Sequence, residues 1–203
     1  MIQQTDEWYQ ARVGVVTASR FKDVMSTGRG GSKSKTRESY MMQIVTEMLT
    51  GNPCEQFKGN TATEWGNEHE PLARSEYEIK TGNIVNEEGF ILYDNVTGVG
   101  CSPDGLIGDD GLIEIKCPYN SVNHVETLLN GMPTVHKAQV QGQMWVTCRD
   151  WCDFVSYDPR MPEKQQLYVQ RIKRDNKYIE DLESKIAEFL NNVKLKISII
   201  NGL

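Results

Sequence analysis

The fold is decided by two neighbouring segments, Cys101-Ser102-Pro103-Asp104-Gly105 and Leu112-Ile113-Glu114-Ile115-Lys116-Cys117. Between them, Asp109-Asp110-Gly111 has the composition of a tight turn. We therefore expect Leu106 and Leu112 to lie on neighbouring strands of a hairpin. Side chains alternate along a strand, which places Glu114 and Lys116 on the same face and the intervening apolar residues on the other face.

An acidic and a basic side chain thus share one face of a mostly apolar strand. For Glu114-Ile115-Lys116 alone, a solvated ion pair on an exposed sheet face is the commoner interpretation. Asp104 favours a functional site over a solvated ion pair, because it lies ten residues before Glu114 and across the hairpin. Two carboxylates beside a lysine form a site of hard oxygen ligands that suits Mg²⁺. The segment therefore predicts a metal site at Asp104 and Glu114.

Glu70 is a candidate third carboxylate. It lies on a predicted helix over residues 62–80, on the same face as Gly66, Ala73 and Tyr77. That face is small and apolar enough to pack inward, so Glu70 could point at the metal site. The alternative is an ordinary solvated carboxylate on the helix surface.

A site of this kind can hydrolyse a phosphodiester bond. Metal ions neutralise the phosphate and lower the pKa of a bound water from about 15.7 towards about 7, which makes hydroxide available. Lys116 would orient this water or stabilise charge in the transition state, and the sequence leaves both roles open.

The remaining periodicity predicts an α/β fold with a central mixed β-sheet flanked by helices. Helices are expected at 17–25, from 36 to a stop at Gly51, at 62–80, from about Thr134 to Arg149, and after an N-cap at Asp175. Strands are expected at 84–85, 90–93, 99–101, 112–117, 154–157 and 167–172.

Composition sets limits on location and partners. The 203 residues contain 22 Lys and Arg against 28 Asp and Glu, a net charge of −6 that by itself argues against nucleic acid as a partner. A carboxylate-rich metal site explains part of this charge, and a loop over residues 26–35 is locally basic.

The chain carries neither a secretion signal nor an apolar run long enough for a membrane span. Its five cysteines are scattered without a CxxC motif, which indicates reduced thiols. We therefore expect a cytoplasmic protein without membrane association.

Several blocks together carry a resemblance to a known family. They run in order as Trp8-Tyr9-Gln10-Ala11-Arg12-Val13-Gly14, Thr17-Ala18-Ser19, Trp65-Gly66-Asn67-Glu68-His69-Glu70, Cys101-Ser102-Pro103-Asp104-Gly105, Glu114-Ile115-Lys116-Cys117-Pro118, Ala138-Gln139-Val140-Gln141, Met144-Trp145-Val146-Thr147 and Tyr157-Asp158-Pro159-Arg160-Met161. Asp104, Glu114 and Lys116 match the PD-(D/E)xK nuclease signature. The set resembles the phage lambda exonuclease family, also called YqaJ-type viral recombinases.

The resemblance implies one nuclease domain over residues 1–203 with a restriction-endonuclease-like core. Members of the family degrade one strand of duplex DNA from its 5′ end, release 5′-mononucleotides and leave a 3′ overhang. They form trimeric rings around DNA and work beside a single-strand annealing protein in a bacterial host cell. By the motif match, Asp104, Glu114 and the Ile115 carbonyl bind Mg²⁺ (Mn²⁺ as a substitute), Glu70 lies near a second ion, and Lys116 is catalytic.

The resemblance also implies a pocket for the 5′ phosphate at Arg12, Ser19, Ser102 and Gln139. Guanidinium, hydroxyl and amide groups are suitable donors to phosphate oxygens. Taken alone, Arg12 reads as a surface ion pair and Gln139 as part of a polar helix face. Arg29, in the basic loop, is a further candidate for DNA contact, whereas Trp8 reads as a core aromatic residue.

Three other functions compete with this one. An endonuclease of the same fold would use the same catalytic residues but would also cut circular DNA. A DNA-end binding protein or scaffold without turnover is disfavoured by the intact set of Asp104, Glu114 and Lys116. A small-molecule hydrolase has little support, since the sequence has no GxSxG motif, no phosphate-binding P-loop and no zinc-type histidine spacing.

Overall fold

The structure is a computed structural model that describes residues 2–28, 30, 34–54 and 59–203. Arg29, the candidate DNA contact of the basic loop, lies outside the described residues.

The helices of the described chain follow the predicted order with two additions. They are α1 (Asp6–Ala11), α2 (Phe21–Val24), α3 (Lys35–Thr50), α4 (Thr61–Thr81), α5 (Ser121–Asn130), α6 (Lys137–Val146) and α7 (Asn176–Asn201). Short 3-10 turns at Ala18–Arg20 and Thr134–His136 lead into α2 and α6. The sequence analysis predicted neither α1 nor α5.

The strands divide into two mixed sheets. They are β1 (Val16–Thr17), β2 (Val85–Asn86), β3 (Ile91–Leu92), β4 (Val99–Cys101), β5 (Gly105–Ile107), β6 (Gly111–Lys116), β7 (Trp151–Tyr157) and β8 (Leu167–Lys173). The larger sheet has the order β2-β5-β6-β7-β8, and the smaller has the order β1-β4-β3. The prediction of an α/β fold with a central mixed sheet is confirmed; the division into two sheets was not foreseen.

The hairpin at the centre of the larger sheet has the predicted register. Leu106 pairs with Leu112 across the antiparallel β5 and β6, and β6 runs parallel to β7 on its other side. Ile113 and Ile115 pack in an apolar cluster with Ala73 of α4. Leu112, on the opposite face, packs against residues of α6. The sheet therefore lies between α4 and α6, and Glu114 faces α6.

Local sequence signals explain where the helices begin and end. The Ser34 hydroxyl accepts a hydrogen bond from the Arg37 amide at the start of α3, and the Asp175 carboxylate accepts one from the Tyr178 amide at the start of α7. Gly51 and Gly82 end α3 and α4 in the left-handed conformation, which glycine adopts without steric penalty.

A third apolar cluster packs α2, α3, α6 and α7 against the smaller sheet. Its large members include Phe21, Trp145 and Phe189, of which Phe21 and Phe189 are fully buried. This cluster fixes α6 from the side that faces away from the larger sheet. In the described part of the chain, no helix combines the length and apolar character needed to traverse a bilayer.

We predict that Gly142→Ala destabilises the protein. Gly142 lies in α6, where an added methyl group would overlap with the buried Phe21 ring. Overpacking of this kind costs about 1–3 kcal/mol, more than the roughly 1 kcal/mol that alanine gains over glycine in a helix. The free energy of unfolding, measured by urea denaturation, should therefore fall.

Gly66→Ala is the matched control for this substitution. Gly66 also lies in a helix, but the space around an added methyl group is open there. This variant should become more stable by about 0.5–1 kcal/mol. Equal changes in both variants would contradict the assigned packing of α6 on α2.

Candidate active site

A cavity of about 180 Å³ brings most of the predicted site residues together. Its lining includes Asp104, Glu114 and Lys116 from the hairpin and Arg12, Ser19, Ser102 and Gln139 from four other segments. The sequence analysis had assigned the first three to catalysis and the other four to phosphate binding. One cavity therefore contains both predicted groups of residues.

Glu114 lies at the floor of this cavity and is 1% exposed. Its Oε1 atom accepts a hydrogen bond of 2.6 Å from the Gln139 amide, and its Oε2 atom accepts one of 2.6 Å from the Gln143 amide. The Lys116 ammonium also contacts Oε1. These three donors compensate a carboxylate whose burial would otherwise be costly.

Asp104 immediately precedes β5 and points across the hairpin. Its Oδ2 atom accepts a hydrogen bond of 2.6 Å from the Ile115 amide, which fixes the side chain beside Glu114. Burial raises the pKa of Asp104 well above its ordinary value, and the neighbouring carboxylates of Glu114 and Glu70 raise it further. The site thus concentrates negative charge that a bound cation would relieve.

Lys116 lines the cavity together with the carboxylates of Asp104 and Glu114. Burial acts to lower the pKa of its ammonium, but the carboxylates of Glu114 and Asp104 outweigh burial and raise this pKa above its ordinary value. Lys116 is therefore positively charged at neutral pH. The predicted alternative, a solvated ion pair on an open sheet face, does not describe these residues, because Glu114 is buried.

Glu70 lies beside the cavity on α4. Its carboxylate accepts a hydrogen bond of 2.8 Å from Arg74, which also pairs with Glu87 at 2.9 Å and reaches the Asp104 carbonyl at 3.4 Å. Burial raises the pKa of Glu70, Arg74 opposes that effect, and the Glu114 carboxylate adds to it. Arg74 therefore links the Glu70 carboxylate to the backbone carbonyl of Asp104.

The phosphate-binding candidates surround Arg12. Its guanidinium contacts the Ser102 hydroxyl at 3.4 Å and the Thr17 hydroxyl at 3.5 Å, and Thr17 in turn lies 3.3 Å from the Ser19 hydroxyl. Among the described residues, no carboxylate lies within ion-pair distance of Arg12. A half-buried cation surrounded by hydroxyl groups is well suited to an anionic ligand.

Trp8 is not the core aromatic residue that the sequence suggested. It is half-buried, lines the cavity, and donates a hydrogen bond of 2.9 Å from its indole nitrogen to the Ser102 hydroxyl. The Arg12 guanidinium lies 4.0 Å above its ring. Trp8 therefore positions both Arg12 and Ser102, a role that depends on contacts between distant segments.

Sequence reasoning also missed Gln143 and Arg74. Gln143 follows Gln139 by four residues, a spacing that places both amides on one face of α6, and this signal could have been used. Its side chain is 0% exposed, and its Oε1 atom is buried without a hydrogen-bond partner. Arg74 follows Glu70 by the same interval, but it resembles a common surface ion pair.

The donor set suits a hard divalent cation. Asp104 and Glu114 supply carboxylate oxygens, and the backbone carbonyl of Ile115 directly follows Glu114 in sequence. Across the described ranges, no three His, Cys, Asp or Glu side chains are grouped closely enough to form a complete metal cage. Mg²⁺ often binds through only one or two carboxylates and keeps several waters, so this sparse set fits it.

Comparison with known proteins supports the same architecture. Residues 7–150 match the model of the YqaJ-like viral recombinase domain. An alkaline exonuclease of Laribacter hongkongensis, LHK-Exo, is 44% identical and matches 97% of this chain and 96% of its own chain with a TM-score of 0.88. Its structure in complex with dAMP gives the same values.

A phage-related exonuclease of Haemophilus somnus shares the fold at 18% identity, with a TM-score of 0.74 over 92% of this chain and 96% of that chain. The protein ExoD of Escherichia coli strain K12 is 37% identical over 60 residues, which are 30% of this chain and 68% of ExoD. Protein R354 of a mimivirus is 25% identical over 75% of this chain, which spans only 28% of R354. The structural matches confirm the predicted restriction-endonuclease-like core.

Proposed function

The chain belongs to the family of YqaJ-like viral recombinases, and from this premise we propose that it is a magnesium-dependent exonuclease acting on duplex DNA. It degrades one strand in the 5′ to 3′ direction, releases 5′-mononucleotides and leaves a 3′ single-stranded overhang. The observation that carries the proposal is the shared cavity, in which Arg12 and its hydroxyl partners lie beside the pair of carboxylates and Lys116. The likeness to LHK-Exo, crystallised with dAMP, supports a mononucleotide product.

Asp104, Glu114 and the Ile115 carbonyl would hold Mg²⁺, with Mn²⁺ as a substitute, and Glu70 would serve a second ion. When bound, such ions activate water for attack on the phosphorus and stabilise the leaving oxygen. The protein's own contribution is to hold these groups rigidly. Gln139 and Gln143 fix the orientation of Glu114, and the Ile115 amide fixes that of Asp104.

Lys116 acts on the reacting phosphate. Its ammonium is kept charged by the surrounding carboxylates, so it stabilises negative charge that develops in the transition state or orients the attacking water.

Arg12, Ser19, Ser102 and Gln139 would bind the 5′ phosphate of the DNA end. Gln139 also donates to Glu114, so its amide links the phosphate pocket to the metal ligands. This link gives a reason for end-dependence: occupancy of the pocket by a terminal phosphate positions the next phosphodiester at the carboxylates. Arg29 remains a proposed DNA contact by family resemblance alone.

The wider assembly is proposed on the family resemblance. The chain would act as one nuclease domain over residues 1–203, form a homotrimeric ring around duplex DNA, and pass the 3′ overhang to a single-strand annealing protein. Recombination of phage DNA in the cytoplasm of a bacterial host is the setting that these partners imply.

The direct test uses purified protein with Mg²⁺, a linear duplex bearing 5′ phosphates, and closed circular DNA of the same sequence. We expect the linear duplex to be converted into mononucleotides and a surviving strand while the circle stays intact. Lys116→Ala should lower the rate constant by at least about 100-fold, because it removes a charge that stabilises the transition state.

Lys80→Ala is the control for that substitution, since Lys80 is exposed and donates a hydrogen bond to the Leu167 carbonyl. Its rate should equal that of the wild type. Cleavage of the circle would replace the exonuclease with an endonuclease, and DNA binding without Mg²⁺-dependent cleavage of either substrate would leave an end-binding protein.

A second prediction concerns the phosphate pocket. Arg12→Ala should abolish the preference for a 5′-phosphorylated end over a 5′-hydroxyl end, because the guanidinium supplies the main positive charge there. Digestion rates of the two linear substrates measure this preference. Arg37→Ala, which removes an arginine paired with Glu188, should keep it. A preference that survives Arg12→Ala would place the 5′ phosphate elsewhere.

A further inference from the structure

A second cavity, which we term the lateral cavity, lies next to the catalytic cavity. It has a volume of about 400 Å³ and shares the Lys116 side chain with the catalytic cavity. The phosphate-binding residues do not line it. Its walls are formed by α5, the turn before α6 and the ends of β6 and β7, and its lining includes Asn123, Glu126, Val135, His136 and Phe154. None of the roles assigned so far uses this space.

The two volumes indicate different occupants. Sites for organic ligands commonly measure about 300–1,000 Å³, a range that includes the lateral cavity but excludes the catalytic cavity of about 180 Å³. Phosphate groups and metal ions fit the smaller space, whereas the base of a nucleotide held there must lie elsewhere. The lateral cavity adjoins this space at Lys116, which lines both cavities.

The lateral cavity has an aromatic wall. The rings of His136 and Phe154 lie 5.4 Å apart with an angle of 31° between their planes, and Phe154 is 1% exposed behind His136. Burial and, to a smaller extent, the nearby Lys116 ammonium lower the pKa of His136 to about 4, so the imidazole is neutral at neutral pH. A neutral, half-buried ring of this kind is a suitable surface for stacking a nucleobase.

The opposite wall is polar and rigid. Asn123 and Glu126 are exposed on α5 and offer an amide and a carboxylate to the edge of a base. His124, on the inner side of α5, is 0% exposed and lies 2.7 Å from the Ser156 hydroxyl and 2.8 Å from the Gln165 carbonyl. This buried polar residue anchors α5 to β7.

We infer that the lateral cavity binds the nucleobase of the nucleotide on the 3′ side of the scissile phosphate, with His136 as the stacking residue. The inference rests on the proposed function and adds the path of the cleaved strand beyond the scissile phosphate. A strand whose 5′ phosphate contacts Arg12 passes the carboxylates, and Lys116 marks the entrance to the lateral cavity. Removal of the base from the stack would also commit one strand of the duplex to the active site.

The test combines changes in the protein with changes in the substrate. Dissociation constants are measured for 5′-phosphorylated duplexes in which a single abasic site replaces each of the first nucleotides in turn. Ca²⁺ replaces Mg²⁺, since it is also bound by oxygen ligands but tolerates a different geometry, so that binding is separated from turnover. For the wild type, the abasic site at the second nucleotide, on the 3′ side of the scissile phosphate, should weaken binding by about 5- to 100-fold, the range expected for loss of one stacked base.

His136→Ala should weaken binding of intact DNA by a similar factor. Removal of the base that stacks on His136 should then cause no further loss of affinity in this variant. His136→Phe keeps the ring and should bind like the wild type, which separates stacking from hydrogen bonding or proton transfer. Thermal unfolding of both variants reports whether the fold is intact.

Asn123→Ala tests the opposite wall without disturbing the core, because Asn123 is exposed. It should weaken binding by about 2- to 10-fold, the effect of one hydrogen bond, only when the base is present. Asn130→Ala is the matched control, since Asn130 is exposed on the same helix but does not line the cavity.

The inference is overturned if His136→Ala weakens binding of intact and abasic DNA by the same factor, or if the abasic site at the second nucleotide does not weaken binding by the wild type. Failure of the proposed function gives a different result, namely a wild type that does not degrade linear DNA with Mg²⁺. The two claims can therefore fail separately.

Discussion

The burial of the Glu114 carboxyl group is the constraint on which the site depends. A carboxylate that is 1% exposed must be compensated by donors, and here they come from Lys116 on the same strand and from two glutamines on α6. Gln139 and Gln143 lie one helical turn apart and reach different oxygens of Glu114. The position of α6 over the sheet is therefore tied to the chemistry as well as to apolar packing.

The same constraint links the two ends of the cavity. Gln139 contacts Glu114 from the side of the phosphate pocket, while Asp104 is fixed by the amide of Ile115, the residue after Glu114. Trp8, from the first helix, holds Ser102 and lies beneath Arg12. Segments far apart in sequence thus converge on one short strand, and Arg12 and Lys116 bring positive charge to one cavity of a chain whose net charge is negative.

Local patterns in the sequence were sufficient to predict the hairpin and the shared face of Glu114 and Lys116. The turn at Asp109-Asp110-Gly111 and the alternation along β6 fix the register and the direction of Glu114 and Lys116. Helix α5 was missed because its apolar residues lie on the exposed face and polar residues lie on the packed face. It exposes Val122, Val125 and Leu129 and buries His124 and Thr127, so an apolar stripe does not mark its packed face. The spacing of Gln143 from Gln139 is a local signal that was overlooked, whereas the roles of Trp8 and Arg74 depend on tertiary contacts that no local pattern encodes.

Isothermal titration calorimetry of the metal-free protein with Mg²⁺ tests the central claim that Asp104 and Glu114 form a metal site. The wild type should bind the ion, whereas Asp104→Asn and Glu114→Gln, which keep the side-chain shape and remove one charge each, should bind it much more weakly. Glu183→Gln, which changes an exposed carboxylate of α7, is the matched control and should titrate like the wild type. Equal binding by all four proteins would contradict the assignment of the metal to this cavity.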